Sequence, residues 1–310
     1  METPLCQIAL SVKDRARSRA WYQALGLEMT GTMGPIVGDV PAKMLRVPEI
    51  EVNIDWVAGR DPMSQLELIE FSRPAPRPVP ADWSLRREGY GLVSLVVPDF
   101  EKAVRTLSAA NAQHAITGSR GSRSLWVKDP DGISIEILEK DPLGSPPAAK
   151  GSEGLASIRA VTETVGDLNK ARRFWTAAIG LTAHSRSHYS FNEFPSSLTG
   201  GVSDWEGEVM QGGTQLVRLL KPRGAAIVPR PADYRLSDAG VLNVAGIVAS
   251  AAQFKTLRER VSSLGYPFST DEPMLIGDDA AAIYGYDDQG HSIELGFVLP
   301  GHEAVYGWRR

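Results

Sequence analysis

A single cysteine, Cys6, excludes an internal disulfide and any thiolate-rich metal site. Histidine is nearly as scarce, with only His114, His184, His188, His291 and His302 to serve as imidazole ligands or bases. No run of like charge occurs, and a net charge of −4 leaves no electrostatic footprint for nucleic acid or an anionic membrane. No apolar run is long enough to span a bilayer. Strand-like sequence begins within a few residues of Met1, so we expect no signal peptide and a cytoplasmic protein. There is no P-loop, dinucleotide fingerprint or nucleophile elbow; Gly200-Gly201 and Gly212-Gly213 are turn signals only. What is present is ordinary for a globular protein: 43% hydrophobic residues, 23% charged, and 310 residues, a length that suits two domains.

The chain repeats itself. Asp129-Pro130-Asp131-Gly132-Ile133-Ser134-Ile135-Glu136 is matched by Asp287-Asp288-Gln289-Gly290-His291-Ser292-Ile293-Glu294, each a turn feeding a strand that delivers a carboxylate. Ile8-Ala9-Leu10-Ser11-Val12-Lys13-Asp14, a helix and Leu25-Gly26-Leu27 recur as Val161-Thr162-Glu163-Thr164-Val165-Gly166-Asp167, a helix and Ile179-Gly180-Leu181. The offset is 153 residues at the opening (Asp14 to Asp167) and 158 at the close (Glu136 to Glu294). This is a duplication.

Each half divides again, because the strand 91–97 ending in Pro98-Asp99 and the strand 241–248 open second units of the same kind. An amphipathic helix follows every opening strand, capped by Asp14, Asp99, Asp167 or Ser250 and closed by Gly26, Asn111, Gly180 or Gly265. The expected fold is α+β, with four βαβββ units forming two domains. Each domain is a curved mixed sheet enclosing a cavity, with helices outside. We expect domains at 1–141 and 153–300, a Pro/Gly/Ser-rich linker at 142–152 and a tail at 301–310.

Parity decides which side chains face a cavity, since they alternate along a strand. Ile8, Leu10, Val12, Leu66, Leu68, Ile133, Ile135 and Ile137 must pack under the helices. Gln7, Ser11, Glu67, Ser134 and Glu136 then point the other way. A carboxamide and two carboxylates meeting there make either a ligand set or a binding pocket.

These residues resemble the vicinal oxygen chelate superfamily, which includes glyoxalase I, bleomycin-resistance proteins, methylmalonyl-CoA epimerases and extradiol dioxygenases. The resemblance covers nearly the whole chain, twice, and is most specific at 7–26, 89–99 and 129–138. It implies metal-ligand positions at Gln7, Glu67, Leu92 and Glu136, of which Leu92 stands where the family has His. In the second half the corresponding positions are Ala160, Val217, Asn243 and Glu294. The first domain is therefore expected to hold the better site. Gln7, Glu67 and Glu136 would bind one divalent ion (Mn, Mg, Ni or Zn), with Glu136 or Glu67 as the base. Candidate substrate-binding residues are Gln7, Ser11, Leu92, Ser94, Trp126 and Arg123; a poorer second pocket would hold Asn243, Glu294, His184 and His188. Trp56, Tyr189, Phe191, Trp205 and Tyr284 are further candidates for an apolar pocket wall.

Three functions remain open. One is a glyoxalase-like lyase or isomerase acting on a small carbonyl or vicinal-oxygen compound. The second is a metal-free module that sequesters a small molecule, as bleomycin-resistance proteins do. The third is a diverged dioxygenase-like protein without iron ligands, since no histidine pair falls at the ligand positions. A small molecule is the expected partner, with neither nucleic acid nor membrane, for a monomer or a homodimer. Glu163 is an anomaly: it falls on the helix side, where an unpaired carboxylate is costly, so a structural ion pair with Arg159, Arg172 or Arg173 is expected.

Overall fold

The structure, a computed structural model, describes residues 4–185, 191 and 193–310. The first unit runs β1 (Leu5–Val12), α1 (Arg15–Ala24), β2 (Glu28–Val37), α2 (Asp39–Leu45), β3 (Glu51–Ala58) and β4 (Gln65–Arg73). The second has β5 (Gly89–Val96), α3 (Phe100–Ala109), β6 (His114–Thr117), β7 (Ser124–Lys128) and β8 (Ser134–Leu138). The third has β9 (Ser157–Thr164), α4 (Leu168–Arg173) continued by a π-helical turn Phe174–Ile179, β10 (Thr182–Ala183), α5 (Ser196–Thr199), β11 (Trp205–Gly212) and β12 (Gln215–Pro222). The fourth has β13 (Gly240–Val248), α6 (Ala251–Ser263), β14 (Met274–Ile276), β15 (Ala280–Tyr286) and β16 (Ser292–Val298).

All four expected caps are made. The carboxylates of Asp14, Asp99 and Asp167 accept from the amides of Arg17, Lys102 and Lys170, and the Ser250 hydroxyl accepts from the Gln253 amide. Residues 142–152 contain no helix or strand. No helix among the described residues is long and apolar enough to cross a membrane.

Two curled, mixed, eight-stranded sheets result, and their composition differs from the expected grouping. The first has the order β14-β15-β16-β13-β1-β4-β3-β2 and joins the first unit to the fourth. The second, β10-β11-β12-β9-β5-β8-β7-β6, joins the second unit to the third. The seams are antiparallel: β1 on β13, with Gln7 opposite Ala245 and Ala9 opposite Asn243, and β5 on β9, with Leu92 opposite Thr162. Each sheet thus draws on both halves of the chain.

The expected parity holds. Ile8, Leu10, Leu66, Leu68, Ile133, Ile135 and Ile137 join Leu107, Trp175 and Leu257 from the helices in one continuous apolar core. The opposite faces carry separate clusters, one over the first sheet and two smaller ones over the second. A cavity lies on that opposite face of the first sheet.

Candidate functional site: two carboxyls in an apolar cup

The first sheet places five polar side chains on two adjacent rungs. One rung runs Gln65–Gln7–Ala245–Glu294 across β4, β1, β13 and β16; the next runs Glu67–Ala9–Asn243. Period-two alternation points Gln7, Glu67, Asn243 and Glu294 to one face, and the small Ala9 and Ala245 between them leave room above the sheet. Gln7 Nε2 donates to Glu67 Oε2 at 2.8 Å, and Trp56 Nε1, opposite Glu67 in the ladder, donates to Oε1 at 3.1 Å. Gln65 Nε2 fixes Gln7 by donating to its Oε1 at 2.7 Å and to the Tyr306 carbonyl at 3.1 Å. Across the seam, Asn243 Nδ2 makes a long 3.5 Å contact to Glu294 Oε2, and Tyr284, opposite Glu294, hydrogen-bonds the same carboxyl.

Above these groups is a cavity of about 390 Å³. Its walls are Met33, Ile36, Met44, Leu45, Ile54 and Met274, with Trp56, Tyr284, Tyr306 and Trp308 as aromatic panels. No Lys, Arg or His is among its described lining residues. Removal from water without a counter-charge disfavours ionisation of both acids. Burial, helped by the Glu294 charge, pushes Glu67 up to about 8. Burial likewise pushes Glu294 up to about 7, against the hydrogen bonds from Asn243 and Tyr284. The two titrate as a pair that keeps a proton near neutrality.

Sequence reasoning singled out Gln7, Glu67, Asn243 and Glu294 but assigned them to two different pockets. The structure unites them and removes Glu136. It also adds Tyr306 and Trp308 from the presumed tail. The Tyr306 hydroxyl donates to Asp279 Oδ1 at 2.8 Å and Trp308 Nε1 to the Cys6 carbonyl at 3.2 Å, folding 303–308 over the cup. Two aromatics within ten residues of the C-terminus were the available signal.

The second sheet carries the pseudo-symmetric positions with different chemistry. Its rungs are Leu216–Ala160–Ser94–Glu136 and Arg218–Thr162–Leu92–Ser134. The counterpart of Glu67 is therefore Arg218, not Val217, whose side chain lies in the core on the helix side. Arg218 Nη2 meets Glu136 Oε2 at 2.8 Å, with the two side chains 1% and 3% exposed. Ser94 Oγ donates to Glu136 Oε2 at 2.7 Å, Ser124 Oγ to Oε1 at 3.1 Å, and Arg218 Nε to Thr162 Oγ1 at 2.8 Å. An internal guanidinium occupies the cation position. Leu92, Trp126, Phe191, Trp205 and Phe194 pack around it as an apolar cluster. Trp126 Nε1 is spent on Thr117 Oγ1, at 2.8 Å. Neither a metal at Glu136 nor a base role for it fits this arrangement.

Other candidates are also placed outside the cup. Ser11 donates to the Ser237 carbonyl at 2.9 Å. Arg123 pairs with Glu139 at 2.7 Å and Glu101 at 2.8 Å. His184 sits beside 140–146, its Nδ1 3.2 Å from Gln211 Oε1. His188 and Tyr189 lie outside the described residues.

Glu163 is paired, but not with an arginine. His291 Nδ1 lies 2.5 Å from Glu163 Oε1 and Trp175 Nε1 donates to Oε2 at 2.8 Å. Arg159 instead joins Asp61 and Asp141. His291 and Glu163 occupy the places of Ile133 and Leu10, so one buried apolar contact has become a polar one in the other half. Together with Asp287 they offer ligand atoms within 4.8 Å of one another, close enough to hold a metal ion. Both Glu163 oxygens are already engaged, however, and Asp287 Oδ1 accepts the amides of Gln289 and His291.

Comparison with known proteins agrees with this fold. The model of the Glyoxalase/Bleomycin resistance protein/Dioxygenase superfamily matches residues 6–123. Among solved structures, glyoxalase I from Zea mays is 14% identical with a TM-score of 0.65, covering 98% of this chain and 96% of that one. The cppA protein from Streptococcus pneumoniae TIGR4 is 11% identical with a TM-score of 0.51, covering 96% and 99%. At these identities the likeness is one of fold. No curated protein matches in sequence. Residues 6–123 thus match the glyoxalase/bleomycin resistance/dioxygenase superfamily, and across nearly its whole length the chain shares the fold of the glyoxalase I structure.

Proposed function

We propose that the chain is a lyase- or isomerase-type enzyme that moves a proton on a small, mostly apolar molecule bearing a carbonyl or vicinal oxygens. Glu67 and Glu294 would be its acid–base pair. The observation that carries this reading is the pair itself: two buried carboxyls on adjacent rungs, raised to about 8 and about 7, in a cup that can admit a ligand. Carboxyls tuned to neutral pH suit proton transfer, because one can be charged while the other is protonated.

The ionised member would take a proton from the carbon next to the carbonyl. As the C–H electrons form the enol double bond, the carbonyl oxygen would take the proton of the other carboxyl. Delivery of the first carboxyl's proton to the former carbonyl carbon, while the second carboxylate takes the proton of the neighbouring hydroxyl to form the new carbonyl, completes an isomerisation and restores both acids. Gln7 and Asn243 would orient the oxygens. The aromatic panels would exclude water, and the absence of a lining cation favours uncharged over anionic substrates.

The donor set also bears on a metal. Gln7, Glu67, Asn243 and Glu294 offer only oxygens with two carboxylates, and Asn243 Oδ1 is buried without a partner. Such a set suits a hard divalent ion, Mg²⁺ or Mn²⁺, better than nickel or zinc. Bound there, the ion would polarise the substrate's oxygens.

Proton exchange tests the proposal before the substrate is known. In D2O, 2-hydroxyacetophenone should lose its CH2 signal faster with enzyme than without. Glu67→Gln and Glu294→Gln should each slow that exchange by roughly 10²-fold or more. Exchange undiminished in both variants would overturn the assignment. Saturable binding without any exchange would turn the reading to sequestration, which the apolar, aromatic lining also favours.

A further inference from the structure

A second cavity of about 240 Å³ lies where the two Pro-rich connectors meet, 77–80 from the first half and 230–231 from the second. It shares no lining residue with the carboxyl cup. Three hydrogen-bonding atoms on its wall are buried without a partner: Tyr90 Oη, Ser134 Oγ and Arg87 Nε. Tyr90 is 8% exposed and Ser134 1%. An unsatisfied buried donor costs about 1–3 kcal/mol, so three on one small cavity wall point to something that accepts from them.

Charge and shape narrow the identity of that acceptor. Of the lining arginines, Arg77 is saturated by Asp233 and Asp238. Among the described residues Arg87 reaches one carboxylate, that of the exposed Asp82, at 3.6 Å. Arg230 has no carboxylate within 4 Å among the described residues and lies over the Tyr234 ring at 4.5 Å. The lining balances three arginines, Arg77, Arg87 and Arg230, against three acids, Glu88, Asp233 and Asp238, and with both aspartates drawn to Arg77 it is Arg230 that is left to meet an anion. Gly89, at φ +105°, makes room for the Arg230 guanidinium: a Cβ there would lie 2.3 Å from Nη2. Gly91 does the same for Trp83, whose ring a Cβ would meet at 2.4 Å. The Trp83, Tyr90 and Tyr234 rings give the cavity apolar walls. Burial and the Glu163 and Asp287 charges push the Tyr90 hydroxyl well up, which keeps it a donor.

We propose that this junction cavity is a second ligand site, taking a small monocarboxylate with an aromatic or aliphatic body. Its carboxylate would accept from Tyr90, Ser134 and Arg87 and face Arg230, while its body would lie on Trp83 and Tyr234. Because residues from both halves line the cavity, an occupant would tie the connectors together and raise the melting temperature.

Benzoate is the probe, titrated into the full chain by calorimetry with Trp fluorescence alongside. One saturating equivalent is expected, bound at least tenfold more weakly in Tyr90→Phe and in Arg230→Lys, each checked to be folded by circular dichroism. Benzyl alcohol, which lacks the charge, should also bind at least tenfold more weakly. The absence of saturable binding, affinity unchanged in both variants, or displacement of benzoate by equal inorganic phosphate would overturn the proposal. Exchange of 2-hydroxyacetophenone is read at the other cavity, so either idea can fail alone.

Discussion

Replacing Arg218 by methionine should destabilise the protein by about 3–5 kcal/mol, among the largest effects expected of any single substitution here. The cause is the carboxylate left behind rather than the ion pair lost. Glu136 is 2% exposed, and without the guanidinium only the Ser94 and Ser124 hydroxyls would face its charge. Taking both partners to apolar residues, Arg218→Met with Glu136→Leu, should recover most of the loss, because no charge then remains to be solvated. Urea denaturation followed by circular dichroism gives both values. A double variant as unstable as the single one would show that this ion pair is not what fills the second cup.

The opposite electrostatics of the first cup give the second large effect. Glu67 and Glu294 are raised to about 8 and about 7, whereas an unfolded-state Glu ionises near ~4.3. Between these limits the folded chain binds more protons than the unfolded one, so stability falls as pH rises. The contribution of the pair is whole below the unfolded value and is lost as pH passes through about 7 and about 8. Glu67→Gln has no such charge to bury. It should match the parent near pH 4 and exceed it at pH 9 by on the order of 3 kcal/mol. Thermal melts across that range show the crossing. Mg²⁺ at pH 9 should raise the parent's melting temperature and leave Glu294→Gln unmoved, if the oxygen set holds a hard ion.

Much of this was legible in the residues. Period-two alternation around Ile8, Leu66 and Ile135 named the buried face, and therefore the cavity face, of each strand. The capped helices and paired closing motifs gave the units. Which unit docks on which was not legible. A β1 that pairs with β13 alternates just as one that pairs with β5 would, and the repeats make the four units interchangeable by pattern. That ambiguity separated Gln7 and Glu67 from Asn243 and Glu294, although all four were singled out. Arg218 was missed through a one-residue slip to Val217, which moves a strand residue to the other face. Glu163 was legible as an anomaly, but its partner His291, 128 residues away, was not. The duplication is symmetric in backbone and unequal in charge: one cup keeps two uncompensated carboxyls, and the other neutralises its carboxyl with an arginine.

Carbon-13 NMR of the glutamate side-chain carboxyls across pH 4–10 tests that inequality most directly. Two resonances should titrate near 7 and 8; Glu67→Gln and Glu294→Gln should each remove one, and Glu294→Gln should lower the one that remains, because the Glu294 charge helps to raise Glu67. If every glutamate carboxyl titrates below about 5, within the ordinary range, the two acids are solvated or paired and the proton-transfer site described here does not exist.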